Sequence, residues 1–153
     1  MKALNYDICV LGAGPAGCAA AIAARRNGAK VLLVDKTGVP GGMSTVGMLN
    51  IWCGDAYGSV FEYILEKTTK TVPSGRRIFS PEELKITLIN MLTDAGVELL
   101  LHSFVCGVKA ENGRISEVSV QTKSGEIKIS ATTFIDCTGD GDVAALCGVP
   151  FDK

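Results

Sequence analysis

The strongest constraint on this chain is a glycine triplet set between an apolar strand and a helix. Tyr6-Asp-Ile-Cys-Val-Leu11 runs straight into Gly12-Ala13-Gly14-Pro15-Ala16-Gly17. Ile8, Val10 and Leu11 form a run too apolar for a half-exposed strand, which predicts a central parallel strand buried on both faces. Gly12 permits a tight turn, Gly14 lets the backbone approach an anion with no Cβ between them, and Gly17 lets the next helix pack close to the strand. Pro15 falls in the first helical turn, where its missing N–H costs nothing. The helix N-terminus then offers free N–H groups and a partial positive charge.

The helix carries Ala16, Ala19, Ala20 and Ala23 at helical spacing, a set of small residues expected to face the sheet. Arg25 and Arg26 suit its last turn, and Gly28 suits the position after it. Val31–Val34 predicts a second strand, closed by Asp35, eighteen residues after Gly17. An acid there can accept hydrogen bonds from both ribose hydroxyls of an adenosine, and it repels the 2′-phosphate of NADP. A bare glycine pattern says little. Strand, glycines, helix and terminal acid in register predict a dinucleotide site.

Composition removes other classes. The 153 residues are one domain's length, and 47% are hydrophobic, too many for a disordered chain. The net charge is −1, with no basic cluster beyond Arg25-Arg26 and Arg76-Arg77, which argues against nucleic acid. No apolar run reaches the roughly 20 residues of a membrane span. The N-terminus enters a strand at once, which predicts no signal peptide. The six cysteines (Cys9, Cys18, Cys53, Cys106, Cys137 and Cys147) are scattered without a Cys-x-x-Cys, and most sit in apolar runs as small buried hydrophobes. That pattern points to a reducing cytoplasm.

Downstream, Gly38-Val-Pro-Gly-Gly-Met-Ser-Thr-Val-Gly47 reads as a flexible loop giving a second backbone wrap around a cofactor. Met48–Cys53 reads as a packed apolar segment. Helical spacing is expected over Tyr57–Thr71, followed by a loop over 72–77. Ser80-Pro-Glu-Glu83 is a capping box opening a helix through Leu84, Leu88, Met91 and Leu92, ended by Gly96. Val97–Leu101 predicts a third buried strand. Asn112-Gly113 signals a type I′ hairpin. The alternation at Val118 and Val120, and again at Ile127 and Ile129, predicts a three-stranded antiparallel meander with one wet face. A further buried strand is expected over Thr133–Cys137. Thr138-Gly-Asp-Gly-Asp142 and a short helix follow, with Asp142 as the expected helix cap.

This order of elements, with Val39–Gly47 and Phe134–Phe151, resembles the FAD-binding domain of FAD-dependent oxidoreductases, with the fold type of glutathione reductase. The resemblance spans nearly the whole chain and is unspecific for substrate. It implies an α/β, Rossmann-like FAD/NAD(P)-binding fold: a central parallel sheet with helices on one side and the β-meander on the other. Residues 1–153 would be one FAD-binding domain, with the substrate domain absent from this chain. Carried over by position, Gly12, Ala13, Gly14, Pro15, Ala16 and Gly17 would wrap the pyrophosphate, and Asp35 and Lys36 would bind the adenosine ribose. Gly42, Met43, Ser44 and Thr45 would face the phosphates and ribityl chain. Val105 would meet adenine through its backbone, and Thr138, Gly139 and Asp140 would lie near the cofactor. No catalytic base is visible: His102 reads as a surface residue and Cys53 as a buried small one. The expected function is the FAD-binding portion of a flavin-dependent oxidoreductase, with a homodimer or partner chain covering the open flavin side. An NAD-binding dehydrogenase domain and a non-catalytic nucleotide-binding module are the alternatives.

Overall fold

The computed structural model describes residues 4–53 and 58–152. Its elements run β1 Leu4–Leu11, α1 Pro15–Arg26, β2 Val31–Val34, a 3₁₀ turn at Gly42–Ser44, α2 Ser59–Thr68, β3 Thr69–Thr71, β4 Arg77–Phe79, α3 Pro81–Asp94, β5 Glu98–Leu100, β6 Phe104–Glu111, β7 Arg114–Thr122, β8 Gly125–Asp136 and α4 Asp142–Leu146. Six strands form one sheet in the order β5-β2-β1-β8-β7-β6, and β3 and β4 form a separate hairpin. β1 is central and runs parallel to β2 and β8, and its last three residues, Cys9, Val10 and Leu11, are fully buried. The apolar run before the glycines therefore folds as its composition requires.

The sheet separates two cores. On one face, Val10, Val31 and Leu33 pack with Cys18, Ala21 and Ile22 of α1, Ile64 of α2 and Leu84, Leu88 and Leu92 of α3. On the other, Cys9, Leu11, Leu32 and Val34 pack with Val105, Val118, Val120 and Ile129 of the meander and Val143 of α4. With α1, α2 and α3 on one side and the meander on the other, this is the expected architecture, the short α4 lying on the meander side. Asn112 and Gly113 both have positive φ, 52° and 73°, as a type I′ turn demands. Ser80 caps α3 by accepting from the Glu83 N–H at 3.3 Å.

Several expectations need correction. The third meander strand and the strand expected to be buried over Thr133–Cys137 are one element, and in it Thr133 and Asp136 are exposed while Phe134 and Ile135 are half-buried. β8 pairs antiparallel with β7 over Gly125–Ser130, then parallel with β1 from Ile129 to Asp136. A polar-apolar alternation followed by an apolar run reads as two strands, because the change of partner alters the burial pattern within one strand. The strand at 97–101 is an edge, β5, with Glu98 exposed and Leu99 and Leu100 half-buried. The face of α1 is also rotated: Gly17, Cys18, Ala21 and Ile22 are buried, whereas Ala16 and Ala23 are exposed. Gly17 must meet the glycine turn, so the face containing it turns inward, and an alanine-rich helix has no bulky stripe to oppose that choice. Met48 and Leu49 are exposed, while Trp52 packs on Phe79, ring centroids 4.4 Å apart, and donates to Thr69 Oγ1 at 3.0 Å. Of the β3–β4 hairpin around it, β3 falls within an expected helix and β4 begins at the last residue of an expected loop; strands of three residues carry too few alternations to declare themselves. The start of the helix expected from Tyr57 lies outside the described residues.

Burial makes the core alkali-sensitive. It pushes the Cys9 thiol from 9.0 to about 12, and burial, with the hydrogen bond to Glu98, pushes Tyr6 from 10.0 to about 12. The folded state thus holds protons that the unfolded chain releases from about pH 9 upward. Both groups have raised folded pKa values, so their contribution is complete below the unfolded value and is lost as pH rises toward 12. Unfolding free energy is expected to fall over pH 9–12. A Cys9→Ala variant, less stable at neutral pH, should show a slope shallower by about 1.4 kcal/mol per pH unit in that window. Urea denaturation at a series of pH values measures both, and parallel slopes would refute the assignment to Cys9.

Candidate functional site: a cleft over the ends of the parallel strands

The C-terminal ends of β2, β1 and β8 meet around the glycine turn. Gly12 leaves β1 with φ +99°, and a Cβ on it would lie 2.3 Å from the Cys137 carbonyl oxygen. A Cβ on Gly17 would lie 1.8 Å from the Gly12 carbonyl oxygen. These two glycines are required by packing. Gly14 differs. Its backbone is extended, φ −65° and ψ 179°, which any residue adopts, and a Cβ there would meet nothing within 4 Å. The protein itself gives no reason for glycine at that position; the space in front of it belongs to a cleft.

That cleft has a volume of about 610 Å³, within the range of small-molecule sites. The expected residues Gly12, Gly14, Pro15, Ala16, Asp35, Lys36, Gly42, Met43, Val105, Thr138, Gly139 and Asp140 all line it. Four others do not. Ala13 is buried, with its N–H bonded to Asp35 Oδ2 at 2.6 Å and its carbonyl accepting from Gly41 N–H at 2.7 Å. Gly17 is buried behind the turn. Ser44 is 6% exposed and Thr45 0%, and the Thr45 hydroxyl turns away to donate to the Pro40 carbonyl at 2.8 Å. The second loop therefore meets the cleft through Gly42, Met43, Val46 and Gly47 rather than through its hydroxyls, and the Thr45 hydroxyl closes the loop on itself.

Asp35 is more heavily engaged than its place at a strand end suggests. Oδ1 accepts from the Thr37 N–H at 2.7 Å and its hydroxyl at 2.6 Å, while Oδ2 accepts from Ala13 N–H. The carboxylate thus ties β2 to the glycine turn before any ligand arrives, and Oδ2 keeps a lone pair for a further donor. Thr37 lines the cleft beside it.

The expected Asp142 cap is absent. Gly141, with φ 67°, is the N-cap residue of α4 and supplies no side-chain bond. Asp136 takes the role from a distance, accepting from Ala144 N–H at 3.0 Å and from the N–H and hydroxyl of Thr138 at 3.0 and 2.7 Å. Partial burial raises the Asp136 pKa, but these hydrogen bonds outweigh it and hold the carboxyl below 3.8. Thr37 and Asp136, with Phe104 and Cys137 on the cleft wall, were not among the expected residues. A repeated Asp-x-Thr, at Asp35–Thr37 and Asp136–Thr138, was the available signal for the first two.

His102 is exposed and lies outside the cleft lining, with its ring over Gly38: a Cβ there would come 2.4 Å from His102 Nε2. Cys53 is exposed rather than buried, and Cys106 is exposed as well. Among the described residues no group of three or more His, Cys, Asp or Glu is arranged to hold a metal ion, and no helix is long and apolar enough to cross a membrane.

An α/β sheet with a glycine turn and a terminal acid at a cleft over its strand ends defines a dinucleotide-binding protein. The chain belongs to the FAD dependent oxidoreductase family, which matches residues 7–153, and FAD is its cofactor. It is 34% identical over 96 residues to the digeranylgeranylglycerophospholipid reductase of Methanocaldococcus jannaschii, a match covering 58% of this chain and 22% of that protein. It is 29% identical over 168 residues to an uncharacterized protein of the nifH2 5′ region of Methanosarcina barkeri, covering 92% of this chain and 86% of that one. The fold is shared with a geranylgeranyl bacteriochlorophyll reductase-like protein of Thermoplasma acidophilum, with a TM-score of 0.69, 19% identity, and coverage of 99% of this chain and 44% of that one. The chain thus spans about a fifth of the first relative's length and under half of this structural neighbour's. The cleft fits the cofactor: there is open space at Gly14, where α1 begins, and an acid, Asp35, at the end of β2.

Proposed function

We propose that this chain holds the ADP moiety of FAD for hydride or electron transfer on a substrate bound outside the described cleft, residues 1–153 forming the FAD-binding domain. The observation that carries the reading is Gly14, a residue with unstrained backbone at which an added Cβ would meet no packed residue, so that its absence clears the cleft. Bound there, FAD supplies a ring that accepts and returns a hydride or single electrons. The chain's own residues bind and orient. Gly14 and Ala16 offer backbone to the pyrophosphate at the start of α1, where the helix dipole favours negative charge, while Gly12, its N–H held by the Val34 carbonyl at 2.8 Å, shapes the turn behind them. Asp35 accepts from the adenosine ribose and Lys36 stands at the same end. Val105 presents its backbone to adenine, and Thr138, Gly139 and Asp140 form the wall over β8.

Exposed Met43 and Val46 line the cleft, and Met48 and Leu49 are exposed beyond them in sequence. This apolar strip supports a homodimer or a partner chain over the open flavin side. The six free cysteines, two of them deeply buried, support a cytoplasmic location.

Purified protein is expected to be yellow and to release flavin on denaturation. Stripped of cofactor, it should gain about 2.7 kcal/mol of stability in FAD at a hundred times Kd, read as a rise in Tm. Colourless protein stabilised by NAD but not by FAD would overturn the reading in favour of a dehydrogenase domain.

A further inference from the structure

The two strands that flank β1 end in the same arrangement. β2 runs into Asp35-Lys36-Thr37 and β8 into Asp136-Cys137-Thr138. In each case one carboxylate oxygen accepts from both the N–H and the hydroxyl of the threonine two residues on, at 2.7 and 2.6 Å for Asp35 and at 3.0 and 2.7 Å for Asp136. In each case the second oxygen reaches a backbone N–H in the segment it must hold, Ala13 at 2.6 Å or Ala144 at 3.0 Å. Because β2 and β8 lie on either side of β1, the two carboxylates bracket the glycine turn.

Their surroundings give them different roles. Asp35 lines the cleft; Asp136 does not, whereas Thr138, which it grips, does. The Thr138 hydroxyl donates to Asp136 and accepts from the Asp142 N–H at 2.7 Å. Donors from Thr138 and Ala144 therefore converge on one carboxylate, and the threonine passes its hold on to Asp142. Two glycines, Gly139 and Gly141, interrupt the held segment, so little else fixes its backbone. The N-cap of α4 contributes no side-chain bond.

We propose that Asp136 is a positioning residue for FAD: through Thr138 and α4 it fixes the Thr138–Asp142 segment so that Gly139 and Asp140 stand as one wall of the cleft. The inference rests on the cleft's assignment to FAD. Asp136 is itself solvent-exposed, so its bonds are screened and its removal should cost the fold little. The loss falls instead on the order of the wall.

The test is titration of cofactor-free protein with FAD, for Asp136→Ala, Asp136→Asn, Thr138→Val and the double variant Asp136→Ala/Thr138→Val, with amide hydrogen exchange at Asp142 and Ala144 measured in parallel. Asp136→Ala and Thr138→Val should each weaken FAD binding about tenfold, and the double variant should be no weaker than about twice the poorer single one, because both act through one turn. Asp136→Asn keeps an acceptor for Thr138 but presents its amide NH2, a donor, to the Ala144 N–H, and should fall between wild type and Asp136→Ala. Asp136→Ala should also lose exchange protection at Asp142 and Ala144 while its Tm stays within about 3 °C of wild type. FAD binding by Asp136→Ala equal to wild type, or single effects that multiply in the double variant, would overturn the positioning role. A loss of binding that only tracks a fall in Tm would reduce Asp136 to a structural residue. Wild-type protein that takes up no FAD overturns the cofactor assignment and the ligand end of this proposal with it; unchanged protection at Asp142 and Ala144 overturns the clamp whatever FAD does.

Discussion

Gly17→Ala is expected to destabilise the cofactor-free protein by about 3–5 kcal/mol, a large part of the 5–15 kcal/mol that holds a domain of this size together. One methyl group has this effect because of where it points. Its carbon would lie 1.8 Å from the Gly12 carbonyl oxygen, 3.0 Å from the Gly12 carbonyl carbon and 3.3 Å from the Cys137 Cβ. The first two belong to backbone in the turn that ends β1, and Gly12 is itself locked at φ +99° with the Cys137 carbonyl against it. No side chain can swing aside, so α1 must lift from the sheet. Lifting it withdraws Cys18, Ala21 and Ile22 from the core they share with Val10, Val31 and Leu33. Chemical denaturation of the cofactor-free protein measures the effect, and the substitution is testable whether or not FAD binds. A midpoint indistinguishable from wild type would show that the helix is not pinned by the glycine turn.

The same constraint explains what could and could not be read from the residues. The β1 run, the glycine triplet and Asp35 were legible because each obeys a local rule: an apolar strand buried on two faces, a turn that excludes Cβ atoms, an acid at a strand end. The inward face of α1 was not, because its rotation is set by the fit of Gly17 against Gly12, which periodicity in an alanine-rich helix does not report. Ser44 and Thr45 show a second limit. Hydroxyls in a glycine loop suggest ligand contacts, but a loop that doubles back on itself consumes such groups internally, as Thr45 does on Pro40. Asp136 shows a third. A polar residue at the end of a strand announces itself only when its partners are known, and those partners lie both two and eight residues further along the chain. β8 is the clearest case of partner identity deciding structure: its alternating half lies against β7 and its apolar half against β1.

Gly14→Val should produce the opposite phenotype: a stable fold that no longer binds FAD. At φ −65° and ψ 179° the backbone already sits where a β-branched residue is comfortable. Beyond its chain neighbours no protein atom lies within 4 Å of the added Cβ, so the cofactor-free Tm should stay within about 2 °C of wild type, with any change in the unfolded chain's entropy favouring the variant. The added side chain stands at the start of α1, in the space a pyrophosphate needs in order to reach the backbone N–H groups. FAD and ADP should both bind at least about a hundredfold more weakly, close to 2.7 kcal/mol, since both share the obstructed diphosphate. Isothermal titration with each ligand, beside a thermal melt without ligand, reads the two quantities independently. Together with Gly17→Ala, the variant separates two roles within the glycine motif: Gly12 and Gly17 shape the turn, and Gly14, on the proposed reading, leaves room for the cofactor. A Gly14→Val protein that binds FAD as wild type does would place the pyrophosphate elsewhere and remove the observation on which the functional reading stands.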